Sequence, residues 1–210
     1  MFLLGRTGGE PVSIFFVADT HFLHGNIIKY CNRPWLRPGD VIDGEWVSEE
    51  IKRERTMEND ETIIERWNSR VKEGDTVYHL GDFAFTRLPS QTDEIIERLN
   101  GSIYLVRGNH DKTEVVKARG FAWVGEKYQG KMVNVCGREI FISHYSHRVW
   151  DKSHHGVWHC HGHSHGTLPD DPNIMSMDVG VDAHDFYPWS IDEISEVMSK
   201  KTFKPVDHHA

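Results

Sequence analysis

The chain has 210 residues, of which 38% are hydrophobic and 27% are charged, and its formal net charge is −8. This composition is typical of a globular protein, and no apolar run approaches the length of a membrane-spanning helix. The acidic balance argues against a broad electropositive surface, so we expect neither a membrane partner nor a duplex nucleic acid partner.

Domain organisation and compartment follow from length, cysteine spacing and the N-terminal residues. The length predicts one domain over residues 1–210, with its core at about residues 14–200. Three widely spaced cysteines do not form a disulfide framework. The N-terminus lacks a basic segment followed by a full apolar segment, so we predict a cytoplasmic protein without a secretory signal.

The first half of the sequence predicts buried strands that alternate with helices. Short apolar runs predict strands at residues 14–18, 76–80 and 102–107. Polar residues follow each run directly, as Gly81-Asp82 follows the second. This order is typical of an α/β fold, in which functional sites lie beyond the carboxyl ends of the strands.

Helices are predicted between these strands. Gly25 to Tyr30 could form a short helix, and apolar residues recur at helical spacing from Ile63 to Val71. A capping box formed by Ser90 and Asp93 predicts the start of another helix. The order strand, loop, helix, strand therefore recurs along the first half of the chain.

Residues 32–60 differ from the rest in composition, with two Arg-Pro pairs and a charged stretch from Glu49 to Arg55. We interpret this segment as an excursion from the core that could act as a lid, since long loops often do so. Arg33 and Trp35 could stack on a base or an aromatic leaving group, but a mobile surface loop is the preferred interpretation.

The second half is richer in predicted strands. Residues 131–135 and 139–142 predict a hairpin around the turn at Cys136-Gly137-Arg138. Val157 to Cys160 and Met177 to Val181 predict two further strands. Ser190 and Glu193 form a capping box, which predicts a terminal helix.

Polar residues of metal-binding types follow five of the predicted strands. They are Asp19, His21, Asp82, Asn109, His110, His144, His163 and His165. Carboxylate, imidazole and amide groups suit Mn²⁺, Fe or Zn²⁺ better than Ca²⁺, which prefers oxygen alone. The set is too large for one tetrahedral ion and suits two ions bridged by a carboxylate. A local zinc-binding module built on residues 159–165 alone is the alternative.

The motifs Asp19-x-His21, Gly81-Asp82, Gly108-Asn109-His110-Asp111, His144 and Gly162-His163-x-His165 resemble, in this order, those of the calcineurin-like metallophosphoesterases. The resemblance extends from about residue 14 to residue 182. It implies a four-layer αββα sandwich of two mixed sheets. It also implies two divalent metal ions, with Mn or Fe expected and Zn or Ni as alternatives.

The resemblance further implies a role for each motif residue. One metal would be held by Asp19, His21, Asp82 and His165, and the other by Asp82, Asn109, His144 and His163. Asp82 would bridge the two ions, and a hydroxide between them would attack phosphorus. His110 would assist the leaving group or only stabilise the phosphate. Asp111 would orient His110 or cap a helix starting near Lys112.

The expected function is hydrolysis of a phosphate mono- or diester. The short chain favours a small phosphodiester or nucleotide as substrate, and His24, Tyr145, His147 and Arg148 are candidate substrate contacts, with a solvated loop as the alternative for the last three. A non-catalytic scaffold and a nuclease for single-stranded nucleic acid are the alternative functions. His159 and His161 are predicted to support the ligands, and Cys160 is predicted to point into the core.

Overall fold

The computed structural model describes residues 12–207, and it contains eleven β-strands and five α-helices within that range. Their bounds in chain order are β1 (Ile14–Val17), α1 (Gly25–Tyr30), β2 (Val41–Ile42), β3 (Glu45–Trp46), α2 (Glu49–Arg70), β4 (Thr76–His79), α3 (Pro89–Ile96), β5 (Ser102–Leu105), α4 (Thr113–Val116), β6 (Trp123–Val124), β7 (Lys131–Val135), β8 (Arg138–Ile142), β9 (Trp158–His161), β10 (Ser176–Asp178), β11 (Trp189–Ser190) and α5 (Ile191–Ser199). The prediction of no N-terminal signal concerns residues outside this range.

Two mixed sheets form the centre of the fold. The first has the order β11-β1-β4-β5-β6, in which β1, β4, β5 and β6 are parallel and β11 is antiparallel to β1. The second has the order β10-β9-β8-β7, with the predicted β7–β8 hairpin as its antiparallel pair. A mixed α/β fold is therefore confirmed, and the parallel strands of the first sheet correspond to its continuous apolar runs.

Alternation along β1 divides the apolar core in two. Phe15 and Val17 pack with the helices, in a cluster that includes Trp67 of α2. Phe16 points the other way and packs with residues of the second sheet, such as Ile140. This period of two is the expected geometry of a strand buried on both faces.

The far side of the second sheet is covered by loop residues. Phe141 and His159 lie side by side in β8 and β9, and the Trp150 ring lies 5.0 Å from the ring of His159. Within residues 12–207, the chain between Val116 and Ile191 forms 3-10 turns but no α-helix. The second helical layer of the expected sandwich therefore stays a prediction.

The segment 32–60, predicted as an excursion, contains β2, β3 and the beginning of α2. Residues 49–60 of the segment belong to α2, which begins at Glu49 because Ser48 accepts a hydrogen bond from the Ile51 N–H and caps the helix. The predicted mobile loop around Arg33 and Trp35 is wrong, since these residues are only 2% and 7% exposed. The polar composition of the first half of α2 hid the helix, because apolar periodicity was absent there.

The two predicted helix caps had different outcomes. The Ser190–Glu193 box is confirmed, with the Glu193 carboxylate accepting from the Ser190 N–H. The Ser90–Asp93 box is wrong, because α3 begins at Pro89 and Gln91 accepts from the N–H groups that precede it. Pro at the first helical position needs no N–H partner, which favours this earlier start.

No helix in residues 12–207 is both long enough and apolar enough to cross a membrane.

Candidate metal centre

Backbone hydrogen bonds join loops in two pairs at one edge of the two sheets, namely the loops after β1 and β4 and the loops after β8 and β9. The N–H groups of Asp19 and His21 donate to the carbonyls of Gly81 and Asp82, each at 3.0 Å. The Gly162 N–H donates to the His144 carbonyl at 3.0 Å. These bonds hold loops that are distant in sequence in one fixed arrangement, so the polar side chains they carry converge.

Five of the seven predicted metal ligands have left-handed backbone conformations. They are Asp19, His21, Asp82, His163 and His165, with φ between 48° and 70°. This conformation is uncommon outside glycine, and its energetic cost is about 1 kcal/mol or more for each residue. Strain of this kind concentrates at functional sites, where the surrounding structure holds it in place.

Gly162 allows the last of these loops to approach the first. A Cβ atom at this position would lie 2.6 Å from Asp19 Oδ2. The His163 N–H donates to the same oxygen at 2.8 Å. Gly162 therefore permits the close approach of these two loops, because any side chain there would clash with Asp19.

The predicted ligands form two groups, each able to hold an ion. Asp19, His21 and His165 form the first group, and Asp82, His144 and His163 form the second. Within each group the potential ligand atoms lie within 4.8 Å of one another. Asn109 joins the second group, because its Oδ1 lies 2.8 Å from His144 Nε2.

Asp82 lies between the two groups. Its Oδ2 is 3.5 Å from His21 Nε2 on one side and 3.5 Å from His144 Nε2 on the other. Its Oδ1 accepts a hydrogen bond of 2.8 Å from the His110 N–H, which fixes the plane of the carboxylate. This is the arrangement expected of a carboxylate that bridges two ions.

Three of the histidines have a fixed contact at Nδ1. His21 Nδ1 lies 3.1 Å from His24 Nδ1, and His144 Nδ1 lies 2.9 Å from the Leu80 carbonyl oxygen. His165 Nδ1 lies 2.7 Å from Asp182 Oδ2. If Nδ1 carries the proton in each ring, Nε2 presents its lone pair to the centre, as metal-binding histidines do.

Two buried atoms of the first group have no hydrogen-bond partner among the described residues. They are Asp19 Oδ1 and His21 Nε2. An unpartnered buried acceptor normally costs about 1–3 kcal/mol, and a ligand or ion is one way to satisfy it. Carboxylate, imidazole and amide donors in these positions fit a pair of divalent transition-metal ions.

Burial and neighbouring charges set the pKa values of the two acids. Burial raises the pKa of Asp19 to about 7. Burial also raises the pKa of Asp82, but its contact with His144 outweighs this effect and leaves the value below the ordinary range. Asp82 is thus held as an anion, as a bridging ligand must be. A bound divalent ion would keep Asp19 ionised as well.

Asp111 makes contacts that differ from the predicted ones. Its carboxylate accepts hydrogen bonds of 2.8 Å from the backbone N–H groups of Asp82, Phe83 and Gly108. The described contacts include none from this carboxylate to the His110 ring, and α4 has no side-chain cap. Asp111 therefore joins the loop after β4 to the loop after β5. The catalytic role of His110 stays a prediction.

The four candidate substrate contacts separate into two places. His24 lies beside His21, and the Tyr145 ring lies 4.5 Å from the His163 ring, so both border the centre. His147 and Arg148 instead line a separate cleft of about 700 Å³ with residues of β10. Their chain turns outward after Tyr145, which sequence spacing alone could not show.

The other residues of the histidine tract lie in the second sheet. His159 is fully buried, and its Nε2 accepts a 3.1 Å hydrogen bond from the His147 N–H. Cys160 is 0% exposed and faces the core, as predicted. His161 is buried and its Nδ1 contacts the Gly162 carbonyl at 3.2 Å. The candidate ion groups contain neither His159 nor His161.

Arg33 and Asp182 support the first group, and sequence analysis assigned neither of them to the centre. Arg33 binds both Asp182 oxygens at 2.9 Å, and Asp182 in turn contacts His165. Arg33 also donates to the Asp19 carbonyl at 2.8 Å. Arg33 and Asp182 are 149 positions apart, so only the fold brings them together. The only signal in the sequence was that Asp182 directly follows the predicted strand from Met177 to Val181.

The fold and the two ligand groups define a class of protein, namely an α/β protein with a candidate two-metal centre at its strand ends. Residues 12–173 match the calcineurin-like phosphoesterase superfamily domain. The chain belongs to this superfamily, whose members are generally metal-dependent phosphoesterases.

Two similar proteins have no stated function. The uncharacterized protein MJ1445 of Methanocaldococcus jannaschii is 31% identical over 193 residues, which cover 89% of this chain and 92% of that protein. The crystal structure of AQ665 from Aquifex aeolicus, a protein of unknown function, aligns with a TM-score of 0.62 at 23% identity. That alignment covers 89% of this chain and all of the other, and it supports the fold alone.

Proposed function

We propose that the protein is a binuclear metal-dependent phosphoesterase that hydrolyses a small phosphate ester. The observation that carries this proposal is the position of Asp82, whose Oδ2 is 3.5 Å from a histidine of each ligand group. Two ions held in this way would polarise phosphate oxygens and lower the pKa of a water molecule between them.

The side chains of the chain would divide the remaining work. Asp82 would offset repulsion between the two cations, and the neutral Asn109 would leave its ion more electrophilic. The His110 ring centroid lies 5.5 Å from that of His21, so His110 is beside the centre without belonging to a ligand group. From there it could donate a proton to the departing oxygen.

We further propose a nucleotide or another small phosphodiester as the substrate and Mn or Fe as the metal, in a cytoplasmic setting. The predicted ligands also suit Zn and Ni. The order of metal affinities does not decide among these ions, because it does not determine which ion is bound in a cell. A scaffold without activity is the main alternative, and it would retain the fold and the ligand groups while turning over no ester.

The test is hydrolysis by metal-stripped protein that has been reloaded with one ion at a time. We expect cleavage of 4-nitrophenyl phosphate or bis(4-nitrophenyl) phosphate to return with two equivalents of Mn²⁺ or Fe²⁺. His21→Ala should lose metal and activity, whereas the exposed His154→Ala should lose neither. Two bound equivalents without hydrolysis of either ester would favour the scaffold.

A further inference from the structure

Two exposed aromatic rings lie near the candidate metal centre, one on the side of each ligand group. Phe85 is 42% exposed and Tyr128 is 61% exposed. Single exposed rings are common on protein surfaces and need no explanation by themselves. These two differ because each one is connected to a predicted metal ligand through one intervening ring.

The first connection runs from Phe85 to the first ligand group. The Phe85 ring stacks on the His24 ring at 4.6 Å with an interplanar angle of 15°. The His24 ring lies 5.2 Å from the His21 ring. The His24 ring therefore lies between Phe85 and His21, a residue that would hold the first ion.

The second connection has the same form on the other group. The Tyr128 and Tyr145 rings are 6.2 Å apart, and the Tyr145 ring lies 4.5 Å from His163. Tyr128 belongs to the loop between β6 and β7, whereas Phe85 follows β4. Two unrelated loops thus place aromatic surface next to the two halves of one centre.

A lysine accompanies each exposed ring. Lys112 Nζ lies 5.0 Å from the centre of the Phe85 ring, and Lys127 Nζ lies 4.6 Å from that of Tyr128. Aromatic rings that stack bases, combined with cations that bind phosphates, are the common features of sites for single-stranded nucleic acid. These local charges oppose the acidic net charge of the chain.

We propose that the substrate is a phosphodiester with a planar base on each side of the scissile phosphate, and that Phe85 and Tyr128 each stack on one of these bases. The inference rests on the proposed phosphoesterase function and specifies its substrate class. A dinucleotide and a short single-stranded oligonucleotide share this chemistry. Phe85 and Tyr128 would then be specificity-determining residues, and the chemistry would belong to the metal centre.

The test compares two diesters that differ only in the bases. One is a dinucleotide with both bases, and the other is its abasic counterpart with the same sugar-phosphate backbone. We expect Phe85→Leu and Tyr128→Leu each to raise KM for the dinucleotide by about 10-fold, since stacking is worth that much for one base, with kcat nearly unchanged. Neither variant should change KM for the abasic diester.

Tyr30→Leu is the matched control, because Tyr30 is 68% exposed and its ring contact is with the adjacent Lys29. It should leave all constants unchanged. Melting temperature and metal content should confirm that each variant folds and loads. A ten-nucleotide single strand, assayed beside the dinucleotide, identifies which of the two sources binds with the lower KM.

Two results separate failure of this inference from failure of the proposed function. If the wild-type protein cleaves both diesters with the same KM, and the two leucine variants match it, stacking is refuted while phosphoesterase activity stands. If the loaded wild-type protein cleaves neither of these diesters nor the two nitrophenyl esters, the proposed function itself is refuted.

Discussion

The two ligand groups of the centre use similar side chains but differ in what surrounds them. Asp19 and His21 of the first group are 0% and 2% exposed, and buried Arg33 fixes the chain beneath them. In the second group His163 is exposed, and Asn109 is a neutral ligand. The two groups therefore differ both in the burial of their side chains and in the residues that support them.

The partners of the histidine Nδ1 atoms also differ between the two groups. His165 Nδ1 faces the Asp182 carboxylate, whereas His144 Nδ1 faces a backbone carbonyl. A carboxylate partner makes the imidazole a stronger ligand than a carbonyl does. We therefore expect the first group to bind its ion more tightly and the second group to exchange its ion more readily.

The largest expected effect comes from removing a ligand of the tighter group. His165→Ala should abolish ion binding at the first group and lower kcat by more than about 100-fold, beyond the range typical of residues that only support a ligand. Metal content by mass spectrometry and turnover of a nitrophenyl ester measure both effects. Full turnover at unchanged metal content would contradict the assignment.

The corresponding change in the second group should affect metal content differently. His163→Ala should leave about one equivalent bound, because the first group keeps all three of its side chains, of which Asp19 and His21 are buried. Activity should still fall strongly, since two-metal chemistry needs both ions. Equilibrium dialysis against increasing metal concentration measures the two affinities, and loss of both ions from this variant would show that the groups are not independent.

A smaller effect is expected from the residues that support His165. Asp182→Asn should weaken metal binding at the first group by about 10–100-fold, because the imidazole loses its charged partner. Nitrogen NMR of the His165 ring provides a readout other than activity, since the population of the Nδ1-protonated tautomer should fall. Asp185→Asn is the control, because Asp185 has an exposed carboxylate paired with Arg66. Equal affinity in the two variants would refute the supporting role.

The sequence located the predicted ligand residues at strand ends, but it did not locate the residues that support them. Asp19, Asp82 and the histidine tract follow apolar runs directly, so strand ends could be located from hydrophobicity alone. Arg33 could not be placed, because its partners come from distant segments and its own segment is polar. The outward turn after Tyr145, which separates His147 and Arg148 from the centre, is likewise decided by packing.

Asp60, which lies behind the first group, should affect the stability of the fold and not turnover. It is 6% exposed and accepts a 2.9 Å hydrogen bond from the Leu23 N–H. Burial raises its pKa to about 7, so the folded chain holds a proton that the unfolded chain has already released. This contribution to stability is present below about pH 4 and is lost as the pH rises through 7.

Urea unfolding of metal-free protein between pH 4 and 8 measures this effect. Relative to Asp60→Asn, the wild-type protein should lose on the order of 2–4 kcal/mol of unfolding free energy across that interval. A constant offset between the two proteins at every pH would mean that Asp60 titrates near its ordinary pKa.

The proposed function requires Asp82 to join two ions in one centre. Electron paramagnetic resonance of protein loaded with two equivalents of Mn²⁺ tests it directly, because ions about 3.5–4 Å apart are magnetically coupled. We predict a coupled two-ion spectrum for the wild-type protein and its loss in Asp82→Asn. A spectrum of two isolated ions in the wild-type protein, or saturation at one equivalent, would contradict the account.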